Sequence, residues 1–209
     1  MEQLLFIFTS LFTMINPLAA VPLYISLTQD LGRHARRKVI LTACFTAFIA
    51  MVLFALAGEA LFSFFGINVN ALRVVGGILF FIMGFEMLRG RSVPKKLDQE
   101  SEDDYGHDVA ITPLAIPMIC GPGAITMVIL FMQEAKSTQH TLTVIGAIFL
   151  VCLSAAAIFA VGQTLLKRLG KIGASVMMRL MGLVMMLIAV EFFFAGISHY
   201  VKLVLQHIS

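Results

Sequence analysis

The sequence predicts an all-α polytopic membrane protein, in which six transmembrane helices form one membrane domain built from two inverted three-helix repeats. Three observations support this fold: the composition, the long uncharged runs and a set of motifs that recurs in the second half. Of the 209 residues, 59% are hydrophobic and 13% are charged, with a mean hydropathy of +0.95. Because a soluble domain carries about 25% charged residues, the apolar surplus must face lipid.

Six apolar segments are long enough to cross a bilayer, which needs about 20 residues of helix. Four of them contain no Asp, Glu, Lys or Arg, at 3–29, 39–58, 109–133 and 137–166. The other two are continuous apolar sequence except for one arginine and one glutamate each. The predicted transmembrane helices are 4–27, 39–64, 71–88, 110–132, 142–165 and 176–198.

The distribution of lysine and arginine predicts the orientation of these helices. Of the 15 basic residues, 12 lie in three segments on one side, at 33–38, 89–96 and 167–179. The opposite side holds only Arg73, Lys136 and Lys202. Because basic loops stay in the cytoplasm, both termini are expected outside, in a bacterial inner (cytoplasmic) membrane.

The second half of the chain repeats motifs of the first half at a nearly constant distance. Residues 58–61 match 162–165 at an offset of 104, 16–19 match 121–124 at 105, and 73–76 match 179–182 at 106. The single membrane domain, 1–209, thus divides into a first repeat at 1–88, a charged cytoplasmic linker at 89–109 and a second repeat at 110–209. An odd number of spans inverts the second copy, as in many secondary transporters. A structural duplication without transport is the alternative.

Helices 1 and 4 are each interrupted by proline or glycine. Pro17 lies in helix 1, and helix 4 contains Pro117 followed by Gly121, Pro122 and Gly123. Proline lacks an N–H and clashes with the carbonyl four residues earlier, so the backbone must open there. A bilayer tolerates such backbone only where protein or a water-filled cavity satisfies it. At about 1.5 Å per residue, both breaks fall near the middle of a core about 30 Å thick.

Broken helices in matching positions of two inverted halves predict a transport site. We expect Thr13, Asn16 and Thr126 to offer hydroxyl and amide groups to a solute. The new half-helix that begins after Gly121 exposes N–H groups that suit a carboxylate, so an amino acid fits. The expected substrate-binding residues are Thr13, Asn16, Pro17, Pro117, Gly121, Pro122, Gly123 and Thr126. The alternative is that proline and glycine only kink these helices for packing.

Four charged side chains lie within the apolar spans. Glu191 lies beyond the midplane of helix 6, where a charge costs roughly 2.5 to 3.5 kcal/mol on insertion scales. Arg73 is the natural partner, and the repeat predicts a corresponding pair of Glu86 with Arg179 at the inner end. Two interpretations stay open: symmetric ion pairs that hold the halves together, or a coupling proton carried by Glu191.

The remaining residues disfavour other functional classes. The basic residues lie in short loops, so no nucleic-acid partner is expected. Cys44, Cys120 and Cys152 lie inside apolar runs and the five histidines in loops or at helix ends, so no metal or cofactor is expected. No His-Glu-x-x-His or Gly-x-Ser-x-Gly motif occurs, so an enzyme is not expected. The expected partners are the lipid bilayer and a small-molecule solute, whereas a homo-oligomer stays open.

The motifs resemble those of one family. Asn16-Pro17 with Pro22, the run 73–77, the run 113–117 leading into 121–124, and 179–182 followed by Glu191 are similar to the MarC family of inner-membrane proteins. The likeness covers essentially the whole chain. It implies a six-helix protein of the lysine-exporter-like transporter superfamily, in which some relatives carry neutral amino acids. We therefore expect a secondary transporter that exports or exchanges small amphipathic solutes such as amino acids; a channel or a non-transporting membrane scaffold is the alternative.

Overall fold

The computed structural model describes residues 2–90, 102–135 and 137–208, and within these ranges the chain forms helices and no strands. The elements are α1 (Glu2–Ile15), α2 (Pro17–Thr28), α3 (Arg33–Phe65), α4 (Val69–Arg89), α5 (Glu102–Val109), a π-helical segment (Ala110–Ile119), α6 (Pro122–Gln133) and α7 (Thr138–Ile208). The all-α prediction is confirmed.

Four helical stretches are long and apolar enough to cross a membrane on their own. They are α3, residues Asn70–Arg89 of α4, and residues Thr138–Gly162 and Ser175–Ser198 of α7. Two further helix pairs reach this length only together, because each is bent at a short break: α1 with α2 by 45°, and Asp104–Ile119 with α6 by 57°. The chain therefore has up to six spans if each bent pair crosses once. The two bent pairs are the helices that the sequence predicts to be broken.

Glycine ends two of the unbroken spans. Gly66 follows α3 with φ +63°, and its N–H donates to the carbonyls of Phe62 and Ser63. Gly90 follows α4 with φ +66° and donates to the carbonyls of Glu86 and Met87. This left-handed conformation is cheap for glycine and pairs the last carbonyls of each helix.

Predicted helices 5 and 6, at 142–165 and 176–198, correspond to two separate apolar stretches, Thr138–Gly162 and Ser175–Ser198, each long enough to cross a membrane. The structure differs from the prediction only in their connection, which has helical backbone in place of a basic loop, so that α7 extends from Thr138 to Ile208.

The two apolar stretches of α7 nevertheless cannot lie on one straight axis. Gln3 at the start of α1 lies 3.2 Å from His140, measured from Nε2 to Nδ1. Met14, near the end of α1, and Phe192 both approach the position that a Cβ of Gly123 would occupy, at 2.5 and 2.7 Å. Eleven residues of α1 span about 16 Å, whereas the 52 residues from His140 to Phe192 would span about 78 Å if straight. The helical segment therefore folds back between its first stretch (Thr138–Gly162) and its second stretch (Ser175–Ser198).

The structure also modifies the predicted linker at 89–109. Its final part is helical as α5, and the side chain of Tyr105 is buried and donates a hydrogen bond to the carbonyl of Leu27 at 3.3 Å. A Cβ built on Gly106 would lie 3.3 Å from Val39 of α3. The end of the segment that the sequence indicates as a charged linker thus docks its apolar side on the helices. Residues 91–101 of the predicted linker lie outside the described residues.

The helices pack as two units. In the first, α3 and the first stretch of α7 enclose the bent pairs. Tyr24 of α2 stacks on Phe159 at 5.0 Å between ring centroids, and Phe48 of α3 meets Phe149 edge-on at 6.0 Å. In the second, α4 pairs with the second stretch of α7. We call this second unit the α4–α7 arm.

Small residues spaced seven apart bring the two helices of the arm into close antiparallel contact. A Cβ built on Gly182 would lie 2.6 Å from the carbonyl oxygen of Gly84, and one on Gly77 would lie 2.7 Å from that of Ala189. A Cβ on Gly196 would lie 2.8 Å from the carbonyl oxygen of Asn70. The backbones approach too closely for a larger side chain, which is how membrane helices gain packing energy without a hydrophobic driving force.

This close contact, which we call the seam of the arm, predicts that Gly182→Ala destabilises the protein by about 1 to 3 kcal/mol. The added methyl group overpacks the space between the two backbones. Gly146→Ala is the matched control: its Cβ would meet only Leu4, at 4.0 Å. Alanine favours helix, so this variant is expected to be neutral or more stable. Thermal unfolding in detergent, followed by reaction of the buried cysteines with a thiol dye, measures both. A Gly182→Ala variant that melts no lower than Gly146→Ala contradicts the prediction.

Candidate functional site

The first break lies at Asn16, between α1 and α2. This residue has φ 45° and ψ 64°, and among the described residues no other non-glycine residue has a positive φ. Asparagine tolerates the left-handed region better than most residues. Pro17 follows at the first position of α2, where its missing N–H costs nothing and its fixed φ suits a helix start. The Asn-Pro pair therefore ends one half-helix and begins the next.

The second break lies between the π-helical segment and α6. Thr112 and Ile116 have extended φ and ψ values, because each precedes a proline. Cys120 turns the chain and donates its N–H to the carbonyl of Ala115 at 2.8 Å. Pro122 then begins α6, with Gly121 in an extended conformation before it. A side chain on Gly121 would meet the carbonyl of Pro117, so only glycine fits this turn.

A cavity of about 480 Å³ opens between α1, α6 and the second stretch of α7. Its lining combines hydroxyl and amide groups with apolar and thioether side chains: Phe6, Thr9, Ser10, Thr13, Met14, Asn16, Met127, Ile188 and Phe192. Cavities that bind small molecules have volumes of roughly 300 to 1,000 Å³. No charged side chain is among these lining residues.

The polar side of this cavity belongs to α1. Ser10, Thr13 and Asn16 follow one another at helical spacing, and Thr13 is exposed. The Thr9 hydroxyl donates to the carbonyl of Leu5 at 2.9 Å and is thereby satisfied within the helix. In the part of the chain that the structure describes, the side chains of Ser10, Thr13 and Asn16 make no hydrogen bond. These three groups are free to bind water or a solute.

The amino terminus of α6 lies directly beneath the cavity. Ile125 makes the first intrahelical hydrogen bond, donating to the carbonyl of Gly121 at 2.9 Å, so the N–H groups of Gly123 and Ala124 precede the ladder. Both residues are buried. Met14 and Phe192 cover Gly123, at 2.5 and 2.7 Å from the position of its absent Cβ. The half-helix amino terminus is therefore separated from the cavity by two apolar side chains.

The structure brings together most of the site residues that the sequence predicts. Thr13 and Asn16 line the cavity, and Gly121, Pro122 and Gly123 form the buried break below it. Pro17 and Pro117 position the backbone on either side. Thr126 is the exception. It is buried and lies outside the cavity lining. Its hydroxyl donates to the carbonyl of Pro122, one turn earlier in α6, at 2.8 Å.

Sequence reasoning missed the apolar wall of the cavity. Phe6, Met14, Met127, Ile188 and Phe192 complete the lining. These residues are indistinguishable in the sequence from the many other phenylalanine, methionine and isoleucine residues of the spans. Phe192 carries one usable signal, since it follows the conspicuous Glu191.

The predicted ion pairs are not formed. Among the described residues, no salt bridge joins Arg73 to Glu191 or Glu86 to Arg179, and both glutamates are exposed. Arg73 instead donates to the side-chain oxygen of Asn70 at 3.3 Å. The guanidinium of Arg179 approaches Gly90 at the carboxyl end of α4, 3.6 Å from the position of a Cβ there. A cation at that end of a helix is favourable.

The described residues contain no group of three histidine, cysteine, aspartate or glutamate side chains placed to hold a metal ion. Cys44, Cys120 and Cys152 are buried and free. The chemistry of the cavity is therefore that of hydroxyls, amides and backbone groups.

Comparison with known proteins gives a consistent result. The model of the MarC family, described as a family of integral membrane proteins, matches residues 1–201. A UPF0056 membrane protein of Pyrococcus horikoshii is 36% identical over 197 residues, which cover 94% of this chain and 95% of the relative. The UPF0056 membrane protein YhcE of Escherichia coli is 31% identical over 193 residues, covering 91% and 90%. No solved structure matches this chain.

The left-handed conformation of Asn16 predicts different results for two substitutions. Asn16→Gly removes the carboxamide but accepts a positive φ, so the free energy of unfolding changes little. Asn16→Ala removes the same group and adds strain of about 1 kcal/mol or more. Thermal unfolding of the two purified variants measures the difference. Equal melting temperatures contradict the left-handed conformation at the break.

Proposed function

We propose that this chain, which belongs to the MarC family of integral membrane proteins, is a secondary transporter that exports or exchanges small amphipathic solutes such as amino acids. One observation carries the proposal: a cavity with one polar and one apolar wall includes Asn16 of the first break and adjoins the second break, from which only Met14 and Phe192 separate it. In transporters, broken helices at mid-depth supply backbone N–H and carbonyl groups to the solute. The proposal assigns the chain no enzymatic role.

The two breaks also support the proposed inverted repeat. Each is in the first span of its half, and each begins a half-helix with proline at its first position, Pro17 in α2 and Pro122 in α6. The bends are similar, at 45° and 57°. In this arrangement the amino termini of the two half-helices approach the site from opposite sides. Rocking of one half against the other then gives alternating access.

The cavity lining favours a solute with separate polar and apolar parts. Ser10, Thr13 and Asn16 present hydrogen-bonding groups that are unused in the structure. Met127 and Ile188 line the apolar side. Because no charged side chain lines the cavity, the charges of a zwitterion would be met by backbone: its carboxylate by the amino terminus of α6, and its ammonium by carbonyls freed at the breaks.

Transport of a labelled amino acid into vesicles preloaded with the unlabelled compound tests this proposal. A carrier gives saturable uptake that the internal solute accelerates. A channel gives flux without this acceleration, and a scaffold gives no flux for any member of a broad panel of amino acids. We expect acceleration by at least one small neutral amino acid.

Thr13→Val tests whether the polar wall binds the solute. Loss of one hydrogen bond costs about 1 kcal/mol, so KM should rise about fivefold with the fold intact. Thr143→Val is the matched control, because Thr143 lies outside the cavity and its hydroxyl donates to the carbonyl of Gln139 within α7. Equal KM values for the two variants would show that Thr13 does not contact the solute.

The missing ion pair favours the second hypothesis for Glu191, in which its carboxyl carries a coupling proton. Glu191 precedes Phe192, which touches the break, and it has no partner among the described side chains. Glu191→Gln should retain the exchange of external for internal amino acid in preloaded vesicles, but it should lose the amino-acid accumulation that a pH gradient drives. Glu86→Gln is the control, because Glu86 is an exposed carboxyl at the far end of α4. Full pH-driven accumulation of the amino acid by the Glu191→Gln variant would contradict proton coupling by Glu191 and support a structural role.

A further inference from the structure

Two aromatic rings from the α4–α7 arm lie over the second break. Phe80 of α4 stacks on Phe192 of α7, with ring centroids 5.9 Å apart and planes inclined by 25°. Phe192 lines the cavity, whereas Phe80 does not. The pair therefore has one ring facing the cavity and one ring behind it.

The glycines of the break allow both rings to lie directly on the backbone. The position of a Cβ on Gly121 is 3.0 Å from Cζ of Phe80, and that on Gly123 is 2.7 Å from Cζ of Phe192. A Cβ on Gly76 of α4 would meet the ring of Pro122. The arm thus contacts the start of α6 through side chains that fill the space left by three glycines.

This contact decides what the cavity can reach. The N–H groups at the start of α6 lie behind the ring of Phe192, so a solute in the cavity does not touch them while the ring is in this position. A shift of the ring opens a path to these donors and enlarges the cavity. The seam of the arm fixes α4 to the second stretch of α7, so Phe80 and Phe192 move together.

We propose that Phe192 is the gate of the cavity and determines the size of the solute, and that Phe80 is a positioning residue that holds the gate closed. The part of Phe192 in solute selection rests on the proposed transport function. The closure itself is independent of transport, because it separates the cavity from the break in the resting protein.

A native cysteine reports on closure without any transport assay. Cys120 directly precedes Gly121 and is buried; Cys44 of α3 and Cys152 of α7 are buried in the same helical core. The full chain in vesicles is treated with a small water-soluble methanethiosulfonate, and modification of each cysteine is followed by peptide mass spectrometry. Phe192→Ala should raise the rate at Cys120 at least tenfold and leave the other two cysteines unchanged.

Phe194→Ala is the matched control for this experiment. Phe194 is on the same helix, is exposed, and lies outside the cavity lining. It should leave Cys120 as protected as in the parent protein. An unchanged rate at Cys120 in Phe192→Ala, or an equal rise in Phe194→Ala, overturns the gate. If all three cysteines become reactive in Phe192→Ala, the smaller change Phe192→Leu decides: a rise confined to Cys120 supports the gate, and a uniform rise or none overturns it.

The size of the solute is tested by uptake of leucine and alanine into preloaded vesicles. Phe192→Ala should raise the ratio of leucine to alanine transport at least tenfold, whereas Phe194→Ala should leave it unchanged. Phe80→Leu should shift the ratio in the same direction by a smaller factor, with increased labelling of Cys120. An unchanged ratio in an active Phe192→Ala variant overturns solute selection by Phe192. Absence of flux in the parent protein overturns the transport proposal instead, and the labelling result still decides whether the gate exists.

Discussion

Two apolar helix pairs of this protein are each interrupted by a short break at which the chain bends, and the backbone groups released there cannot face hydrocarbon. Each unsatisfied N–H or carbonyl in such a medium costs several kcal/mol. Part of this cost is removed locally: proline at the start of α2 and α6 has no N–H to satisfy, and Cys120 donates to Ala115 across a wider turn. The rest must be met by packing or by solvent. The tertiary structure is arranged around that requirement.

Glycine provides the packing. At the second break the rings of Phe80 and Phe192 reach the backbone because Gly121 and Gly123 have no side chains. In the α4–α7 arm, glycines spaced seven apart bring two backbones together and hold the rings in register. The two sets of glycines have different consequences. Those of the arm lie against backbone and fix one helix to another, whereas those of the break also lie against the rings of Phe80 and Phe192, which can change rotamer without unfolding a helix.

The sequence predicts the spans and the breaks well because both depend on local chemistry. Proline opens a helix wherever it lies in the interior, and a run of about 20 apolar residues spans a bilayer whatever surrounds it. The apolar wall of the cavity depends instead on contacts between distant segments, such as the approach of both Met14 and Phe192 to Gly123. The helical connection between the two stretches of α7 was not predicted, because basic residues mark a membrane boundary without specifying the backbone conformation.

Among the described residues the predicted ion pairs are absent, for a reason that the sequence contains. Depth alone makes Arg73 and Glu191 suitable partners, but a pair also requires the two side chains to face each other. Ala189 lies in the seam with Gly77, and at about 100° per residue Glu191 points some 200° away from it. The recurrence of small residues at 182, 189 and 196 would have given this direction. A span prediction thus becomes a contact prediction only when the facing side of each helix is known.

The apolar cover of the break also has a consequence for the energetics of transport. While the gate is closed, protein side chains shield the amino terminus of α6 from lipid and water, and those donors remain without a strong acceptor. When a solute carboxylate replaces the ring, it supplies a charged acceptor that the ring lacks, so the solute binds the open arrangement better than the closed one. A ligand shifts a conformational equilibrium only by such a difference in affinity. In the proposed mechanism, the cost of breaking two helices is therefore recovered as the free energy that couples solute binding to movement of the arm.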